Sequence, residues 1–226
     1  SLKLFEFGKS YHQFESGRSE QKHLTLFVTG NRTVDSWASE KKTSDFFYMK
    51  GVITTLLQRV GIHKLKTSPT KNDVFSEGIT LSLGKIKLVD FGVVNISILK
   101  EFSIKQEVIY ADFNWDAILK VTNRKGFKVD SLPKYPSVKR DLALLLDNAT
   151  TFSEVYTTAF QSERSLLKEV DLFDVYQGDK LPEGKKSYAV SFILQDESKT
   201  LNEKQIDKVM QKMQQSFEKN LNAVLR

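Results

Sequence analysis

The sequence predicts an α+β protein in two parts, the second of which follows the order β-α-β-β-α-β. Short apolar runs with the alternation typical of strands recur along the 226 residues. Stretches with helical spacing of apolar side chains separate some of these runs. A charged segment with a glycine and two prolines covers residues 123–137 and favours extended backbone. We therefore predict domains at 1–125 and 137–226, joined by a linker at 126–136.

The first part is predicted to hold five strands and one helix. We expect the strands at residues 2–7, 24–29, 78–83, 89–99 and 107–113. A helix is expected from Asp45 to Val60, because its apolar residues fall on one stripe. Ser44 is the expected N-cap, and Gly61 suits a left-handed residue just after the helix.

The second part has clearer signals. Strands are expected at residues 140–146, 170–176, 187–195 and 223–225. Thr151 and Glu154 have the spacing of a capping box and open one helix. Thr200 and Glu203 have the same spacing before a longer amphipathic stretch. This order of elements is the ferredoxin-like arrangement.

Composition excludes several kinds of site. The chain has no cysteine, which rules out disulfides and cysteine-ligated metals. The histidines are His12, His23 and His63, and no two of them have metal-ligand spacing. No apolar stretch approaches about 18 residues, so no membrane span is predicted. The chain begins within a strand-like run and shows no signal peptide, so we expect it to be cut from a longer protein.

The positive charge is concentrated in the first part. Residues 1–131 hold 20 lysines and arginines against 14 acidic residues, whereas residues 132–226 hold 14 of each. A basic excess favours nucleic acid as a partner, but this excess is modest.

Strand alternation predicts which side chains face the helices in the second part. The helix-covered face is predicted to carry Phe173, Val175, Tyr188, Val190, Phe192 and Leu194. The opposite face is predicted to carry Leu172, Asp174, Tyr176, Ser187, Ala189 and Ser191. The connecting loop beside that face is predicted to hold Lys180, Lys185 and Lys186.

An aromatic ring, a carboxylate and hydroxyls beside lysines suit single-stranded RNA. The ring would stack on a base, the carboxylate would accept from a base amino or imino group, and the lysines would meet phosphates. The alternatives are a solvated sheet face or a surface that docks another protein. A small-molecule enzyme is disfavoured, because no phosphate loop, nucleophile elbow or histidine–carboxylate pair is evident.

Four motifs of the second part resemble the anticodon-binding domain that ends bacterial phenylalanyl-tRNA synthetase β chains. They are YPSVKRDL at 135–142, LFDVYQG at 172–178, LPEGKKSY at 181–188 and TLNE at 200–203. The resemblance implies anticodon contacts by Asp174, Tyr176 and Ser187. It also offers Arg140 and Lys186 as phosphate contacts.

The first part resembles the class II aminoacyl-tRNA synthetase-like domain of the same chains, which is a mixed or antiparallel sheet domain without catalytic activity. LFEFGK at 4–9, DFFYMKG at 45–51 and the strand within 102–113 carry this resemblance. The arginines that class II enzymes use on ATP are not evident. The segment 84–99 matches loosely, and no site residues are transferred from it.

The resemblance implies a non-catalytic segment of a cytoplasmic ligase subunit. The expected partners are tRNA(Phe) and the catalytic α subunit, in an α2β2 heterotetramer. ATP, Mg²⁺ and phenylalanine would be used by the parent enzyme, with no cofactor or metal in this segment. The tRNA-like binding and editing domains are expected upstream, so editing of mischarged tyrosine is expected to be absent here.

Overall fold

The computed structural model describes residues 1–34, 36–38, 40–63, 65–122 and 132–225. The chain divides into two compact units, Ser1–Val129 and Asp130–Arg226. Each unit combines helices with one antiparallel sheet, which confirms the predicted α+β class. The predicted linker at 126–136 falls mostly outside the described residues. Among the described residues, no helix is both long and apolar enough to cross a membrane.

The first unit is built on a six-stranded sheet in the order β1-β2-β6-β5-β4-β3. Its strands are β1 (Leu2–Phe14), β2 (Gly17–Thr29), β3 (Lys66–Pro69), β4 (Phe75–Leu83), β5 (Ile86–Val94) and β6 (Ile109–Asn114). The predicted strands at 2–7 and 24–29 pair with each other at the base of one long hairpin. The part of the hairpin nearer its turn is rich in polar residues, so apolar alternation did not predict it.

Helix α1 (Phe46–Arg59) covers the segment in which a helix was predicted. Its N-cap is Asp45, whose carboxylate accepts from the Tyr48 N–H at 2.7 Å, so the prediction of Ser44 was wrong by one residue. The end of the helix is as predicted. Gly61 has φ of +82°, and the Ile62 N–H donates to the Leu57 carbonyl at 2.9 Å.

The segment 89–99 is a strand only as far as Val94. Asn95 then caps a short helix, α2 (Ile96–Glu101), by accepting from the Ser97 N–H at 3.1 Å. The run of valines and isoleucines favoured a strand, but the asparagine side chain gives the backbone a helical start. A further helix, α3 (Trp115–Thr122), follows β6 directly and was not predicted.

The core of the first unit lies between one face of the sheet and helices α1 and α3. Met49, Ile53 and Leu57 of α1 are fully buried there. Phe91 and Phe113, on neighbouring strands, are buried against them. Strand alternation places His23, Asp112 and other polar side chains on the opposite face of the sheet.

The second unit has the order β7 (Val138–Asp147), α4 (Phe152–Ser162), β8 (Leu167–Tyr176), β9 (Lys185–Leu194), α5 (Glu203–Leu221) and β10 (Val224–Leu225). Its sheet has the order β10-β7-β9-β8, with every pairing antiparallel. Both observations confirm the predicted ferredoxin-like fold.

Capping boxes open both long helices of the second unit. The box of Thr151 and Glu154 is present in both directions, as predicted. At α5 the box consists of Asn202 and Gln205 instead of Thr200 and Glu203. Asparagine is as good an N-cap as threonine, and its position two residues later aligns it with the first helical turn.

A single apolar core fixes α4 and α5 on one face of the second sheet. Phe192 of β9 and Phe217 of α5 are fully buried, with ring centroids 5.9 Å apart. Val155 and Ala159 of α4 and Met213 of α5 belong to the same cluster. Neither α4 nor α5 covers the opposite face of this sheet.

Candidate nucleic-acid interface

We call the sheet face opposite α4 and α5 the open face. Strand register identifies its members, because directly paired residues lie on the same side of a sheet. Asp174 pairs with Ala189, and Tyr176 pairs with Ser187. The remaining members come from β7, β8 and β9, and they are Lys139, Asp141, Ala143, Leu145, Asp147, Glu169, Asp171, Lys185, Ser191 and Ile193.

A β-bulge in β8 changes which side chains reach the open face. Leu172 pairs with Val190 and Asp174 pairs with Ala189, so Phe173 is the extra residue between them. Leu172 packs against the core, and Phe173 is 54% exposed. The predicted faces of Leu172 and Phe173 were therefore wrong, because alternation assumes an uninterrupted strand. Val175 keeps its predicted side but is half-exposed at the edge of the sheet.

The three predicted anticodon contacts lie together at one end of the open face. Asp174 is exposed, and the Tyr176 ring is 38% exposed. Ser187 lies beside Tyr176 on the neighbouring central strand and is only 8% exposed. The group thus offers a carboxylate and a ring at the surface, with a hydroxyl beneath them. Their role in binding stays a prediction.

Ser191 is on the open face, as predicted, but its hydroxyl is already engaged. It is buried and donates to Asp141 Oδ1 at 2.7 Å. Asp141 is its direct neighbour on β7. This bond joins two strands across the sheet, and it leaves the hydroxyl less free to bind a ligand than that of Ser187.

Lys185 and Lys186 do not lie in the loop where they were predicted, since β9 begins at Lys185. Lys186 points to the helix side and is buried. Its ammonium donates to the Asn148 carbonyl at 2.8 Å and lies 4.7 Å from the centroid of the Tyr188 ring. Lys185 pairs with Asp147 at 2.7 Å. Lys180 is exposed in the connecting segment, as expected.

Arg140 also lies on the helix side of the sheet, opposite Phe192 in the strand register. Its guanidinium donates to both carboxylate oxygens of Glu203, at 2.8 and 3.1 Å. The pair joins β7 to the first turn of α5. The phosphate roles of Arg140 and Lys186 stay predictions, but the present contacts of both cations argue against them.

The first unit contains a histidine–carboxylate pair that sequence spacing did not indicate. His23 Nδ1 lies 2.8 Å from Asp112 Oδ1, and His23 Nε2 lies 2.9 Å from Ser10 Oγ. The three residues come from β2, β6 and β1, and 89 positions separate His23 from Asp112. The chain of bonds ties three adjacent strands together. Only the strand register could have revealed it.

Two carboxylates stand directly opposite each other beside this histidine. Asp90 of β5 pairs with Asp112 of β6. Asp90 is buried, accepts from the Thr80 hydroxyl at 2.6 Å, and forms an ion pair with Lys87. Asp112 is engaged by His23. Because both acids already have partners, they do not suit a magnesium site. Among the described residues, no cluster of three or more histidines and acids could hold a metal.

Tyr110 lies close to Asp112 and is partly buried. Burial raises the pKa of Tyr110 to about 12, and the neighbouring Asp112 charge adds to the effect. A cavity of about 270 Å³ opens beside the pair and is lined by Gln21, Lys87, Leu88, Asp90, Asp112 and Asn114. Its polar lining is mostly engaged in internal bonds, so it is weaker than the open face as a candidate site.

Comparison with known proteins gives a family for each unit. The family described as "Phenylalanyl tRNA synthetase beta chain CLM domain" matches residues 1–115, just over half of the chain. The family described as "Ferredoxin-fold anticodon binding domain" matches residues 133–226. The chain belongs to the phenylalanyl-tRNA synthetase β chain family. Its two units therefore match two successive parts of that family's chains.

Curated members of the phenylalanyl-tRNA synthetase β chain family align with the whole chain. The phenylalanine–tRNA ligase β subunit of Bacteroides thetaiotaomicron is 42% identical over 238 residues, and that of Porphyromonas gingivalis is 40% identical over 240 residues. Each alignment covers 100% of this chain and 29% of the relative. The chain thus spans less than a third of the length of these β subunits.

Among solved structures, a pyrrolysyl-tRNA synthetase from Desulfitobacterium hafniense is similar to part of the chain. The alignment covers 54% of this chain and 42% of the pyrrolysyl-tRNA synthetase chain, with 14% identity and a TM-score of 0.41. A likeness this weak carries no argument, and membership of the phenylalanyl-tRNA synthetase β chain family rests on the sequence matches.

Proposed function

We propose that the second unit binds the anticodon loop of tRNA(Phe) through its open face, as part of a phenylalanine–tRNA ligase β subunit. One observation carries the proposal: Asp174 and Tyr176 lie side by side on the sheet face opposite α4 and α5. The unit that holds them is matched by the anticodon-binding family. The relatives that align with the whole chain are phenylalanine–tRNA ligase β subunits.

The chemistry of these side chains suits unpaired bases. Bases in a loop expose both their ring faces and their Watson–Crick edges. The Tyr176 ring provides a stacking surface, and the Asp174 carboxylate accepts from a base amino or imino group. The Ser187 hydroxyl, next to the ring, adds a hydrogen bond to a base that lies on the ring.

The charge balance of this part supports readout of bases over attraction to the backbone. Residues 132–226 carry 14 basic and 14 acidic side chains. Asp141, Asp171 and Asp174 also place carboxylates on the open face itself. Few phosphates would be neutralised there, so we expect binding to depend weakly on salt.

For the first unit we propose a scaffolding role beside the catalytic α subunit. Strand β1 forms an edge of the sheet and exposes several apolar side chains. Those of Leu2, Leu4, Phe5 and Phe7 are between 55% and 71% exposed. Exposed apolar side chains concentrated on one edge strand are typical of protein interfaces. Since Asp90 and Asp112 are already engaged, the proposal places ATP, Mg²⁺ and phenylalanine on the α subunit of an α2β2 assembly.

A titration of the chain with tRNA(Phe) tests the anticodon proposal. Tyr176→Ala should weaken binding by about 1–3 kcal/mol, the usual contribution of a base–aromatic stack. Tyr156→Ala is the matched control, because Tyr156 is a half-exposed tyrosine on α4, away from the open face. If Tyr176→Ala binds tRNA as tightly as the parent and as the Tyr156→Ala control, Tyr176 does not stack on RNA.

The alternative is that the open face docks a partner protein without reading the anticodon. The exposed Phe173 ring favours it, since exposed apolar groups often mark protein interfaces. In that case any tRNA binding would lack anticodon preference and would disappear at modest salt. The same titration at two salt concentrations separates these functions.

A further inference from the structure

The bulge in β8 creates a second exposed ring three residues before Tyr176. Phe173 has no partner in the register of β9, because its neighbours Leu172 and Asp174 pair with successive residues there. Its ring is 54% exposed and does not belong to the core of the unit. Burying a phenylalanine side chain is normally favourable. At the bulge this ring nevertheless lies outside the core.

The ring lies beside a lysine of the open face. Lys139 Nζ is 5.5 Å from the centroid of the Phe173 ring. Lys139 pairs with Ile193 on β9, which places it on the same side of the sheet as Asp141 and Ser191. Because the sheet separates its two faces, this short distance places the Phe173 ring on the open face as well.

Lys139 is available for a further contact. Its side chain is 59% exposed, and its ion pair with Asp141 is long, at 3.9 Å. Arg140 and Lys186 hold closer partners on the helix side, at 2.8 Å. Asp171 and Asp174 would repel a phosphate from other parts of the open face, and Lys185 of this face is held by Asp147 at 2.7 Å. Lys139 therefore marks the position on this face where a nucleotide phosphate is best accommodated.

We propose that Phe173 and Lys139 form a second RNA contact, in which a base stacks on the Phe173 ring and Lys139 meets the adjacent phosphate. The inference rests on the proposed function and extends it from one stacked base to two. In sequence order Asp174 and Val175 lie between the two rings. Tyr176 pairs with Ser187, and the bulged Phe173 lies at the Val190–Ala189 step, so at about 3.3 Å per residue the two positions are roughly 8 Å apart along the strand. That spacing gives each ring its own base.

A protein partner is the other occupant that an exposed ring could have. The cation over the ring favours RNA, because aromatic side chains combined with positive charge are typical of single-stranded nucleic-acid sites. A lysine at this position would also have to be desolvated by an apolar partner, which is costly. The Phe173→Leu variant separates the two occupants, because an apolar protein contact tolerates leucine and a stacked base does not.

The test is a titration of the whole chain with a short RNA hairpin that carries the phenylalanine anticodon loop. Phe173→Ala should weaken binding about five- to 150-fold, as expected for one lost base stack. Phe173→Leu should weaken binding as well, because leucine is also apolar but has no ring on which a base can stack. Val175→Ala is the matched control, because Val175, at 48% exposed, is similarly accessible in β8 but faces the other side. It should leave affinity unchanged.

Lys139→Ala tests the phosphate part of the proposal separately. It should reduce the dependence of log affinity on log salt by about 0.7, the contribution of one phosphate contact to a single strand. An unchanged salt slope would rule out that contact.

The outcomes for the two rings are distinguishable. If Tyr176→Ala weakens binding and Phe173→Ala does not, the second contact is wrong and the proposed function stands. If neither variant differs from the parent, both proposals fail. A Phe173→Leu variant that binds like the parent would favour a general apolar surface, and hence a protein occupant.

Discussion

The Tyr176 ring lies directly against Gly178. A β-carbon at position 178 would come within 2.6 Å of the Tyr176 hydroxyl oxygen and 2.8 Å of the ring carbon that bears it. The absence of a side chain at Gly178 therefore allows the ring to lie back along the turn that follows β8. In this position 38% of the tyrosine residue is exposed.

Gly178→Ala should weaken tRNA binding without removing any group that contacts RNA. The new methyl group would push the end of the tyrosine ring away, and a stacked base would lose part of its contact. We expect a smaller loss than that of Tyr176→Ala, so less than about 3 kcal/mol. The measurement is a tRNA titration, with thermal unfolding to show that the fold is kept. Unchanged affinity would show that the ring is not positioned by Gly178.

Arg140→Ala should affect stability slightly and RNA affinity not at all. Arg140 and Glu203 form an exposed ion pair between β7 and α5, in which one guanidinium nitrogen donates to both carboxylate oxygens and the side chains are 36% and 75% exposed. Pairs of this kind contribute about 0–1 kcal/mol. A double-mutant cycle with Glu203→Ala measures that contribution. A loss of tRNA affinity together with a smaller salt slope would instead support the phosphate contact predicted for Arg140.

The capping box of α4 should make the second unit sensitive to acid. The Thr151 backbone N–H and hydroxyl bond to Glu154 and lower the pKa of its carboxyl below the ordinary value of 4.5. Because the pKa is lower in the folded state, the stabilisation is present above about pH 4.5 and is lost as pH falls through the folded pKa.

Glu154→Gln should therefore destabilise the chain at neutral pH, and the difference from the parent should be smaller at about pH 3. Denaturant unfolding at both values of pH measures the effect. Glu183→Gln is the matched control, since it removes the same charge at an exposed position between β8 and β9. An equal effect of Glu154→Gln at both values of pH would contradict the capping role of the ionised carboxylate.

Gly92→Ala should destabilise the first unit, because β4 and β5 approach each other closely at Gly78 and Gly92. A β-carbon at position 92 would lie 2.1 Å from the Glu77 carbonyl oxygen, which is backbone and cannot turn aside. We expect a cost of about 1–3 kcal/mol, typical of overpacking. Gly8→Ala, in a strand with open space around position 8, should stay within about 0.5 kcal/mol of the parent.

The sequence predicted the order of elements in the second unit because local signals there agree with the fold. Thr151 and Glu154 open α4 as expected, and alternation in β9 assigned Tyr188, Val190 and Phe192 correctly to the core. The same alternation failed in β8, where the bulge at Leu172 and Phe173 shifts the pattern. A bulge depends on pairing with a neighbouring strand, so the sequence of one strand does not reveal it.

Other features were not predictable because they depend on residues far apart in the chain. His23 meets Asp112 across β2 and β6, and Arg140 meets Glu203 across 63 positions. The burial of Lys186 depends on the Asn148 carbonyl and on the Tyr188 ring beside it. From composition and spacing alone, charged side chains of this kind are expected to face solvent. In the folded chain, partners from distant parts of the sequence hold them in specific contacts.

The most direct test of the account compares the affinity of the chain for tRNA(Phe) and for the same tRNA with a replaced anticodon. We predict a preference of about five- to 150-fold for the phenylalanine anticodon that persists as salt is raised. Asp174→Asn should reduce this preference. Asp207→Asn, the same charge change on an exposed position of α5, should not. Equal affinity for both tRNAs, lost at modest salt, would contradict anticodon recognition by the open face.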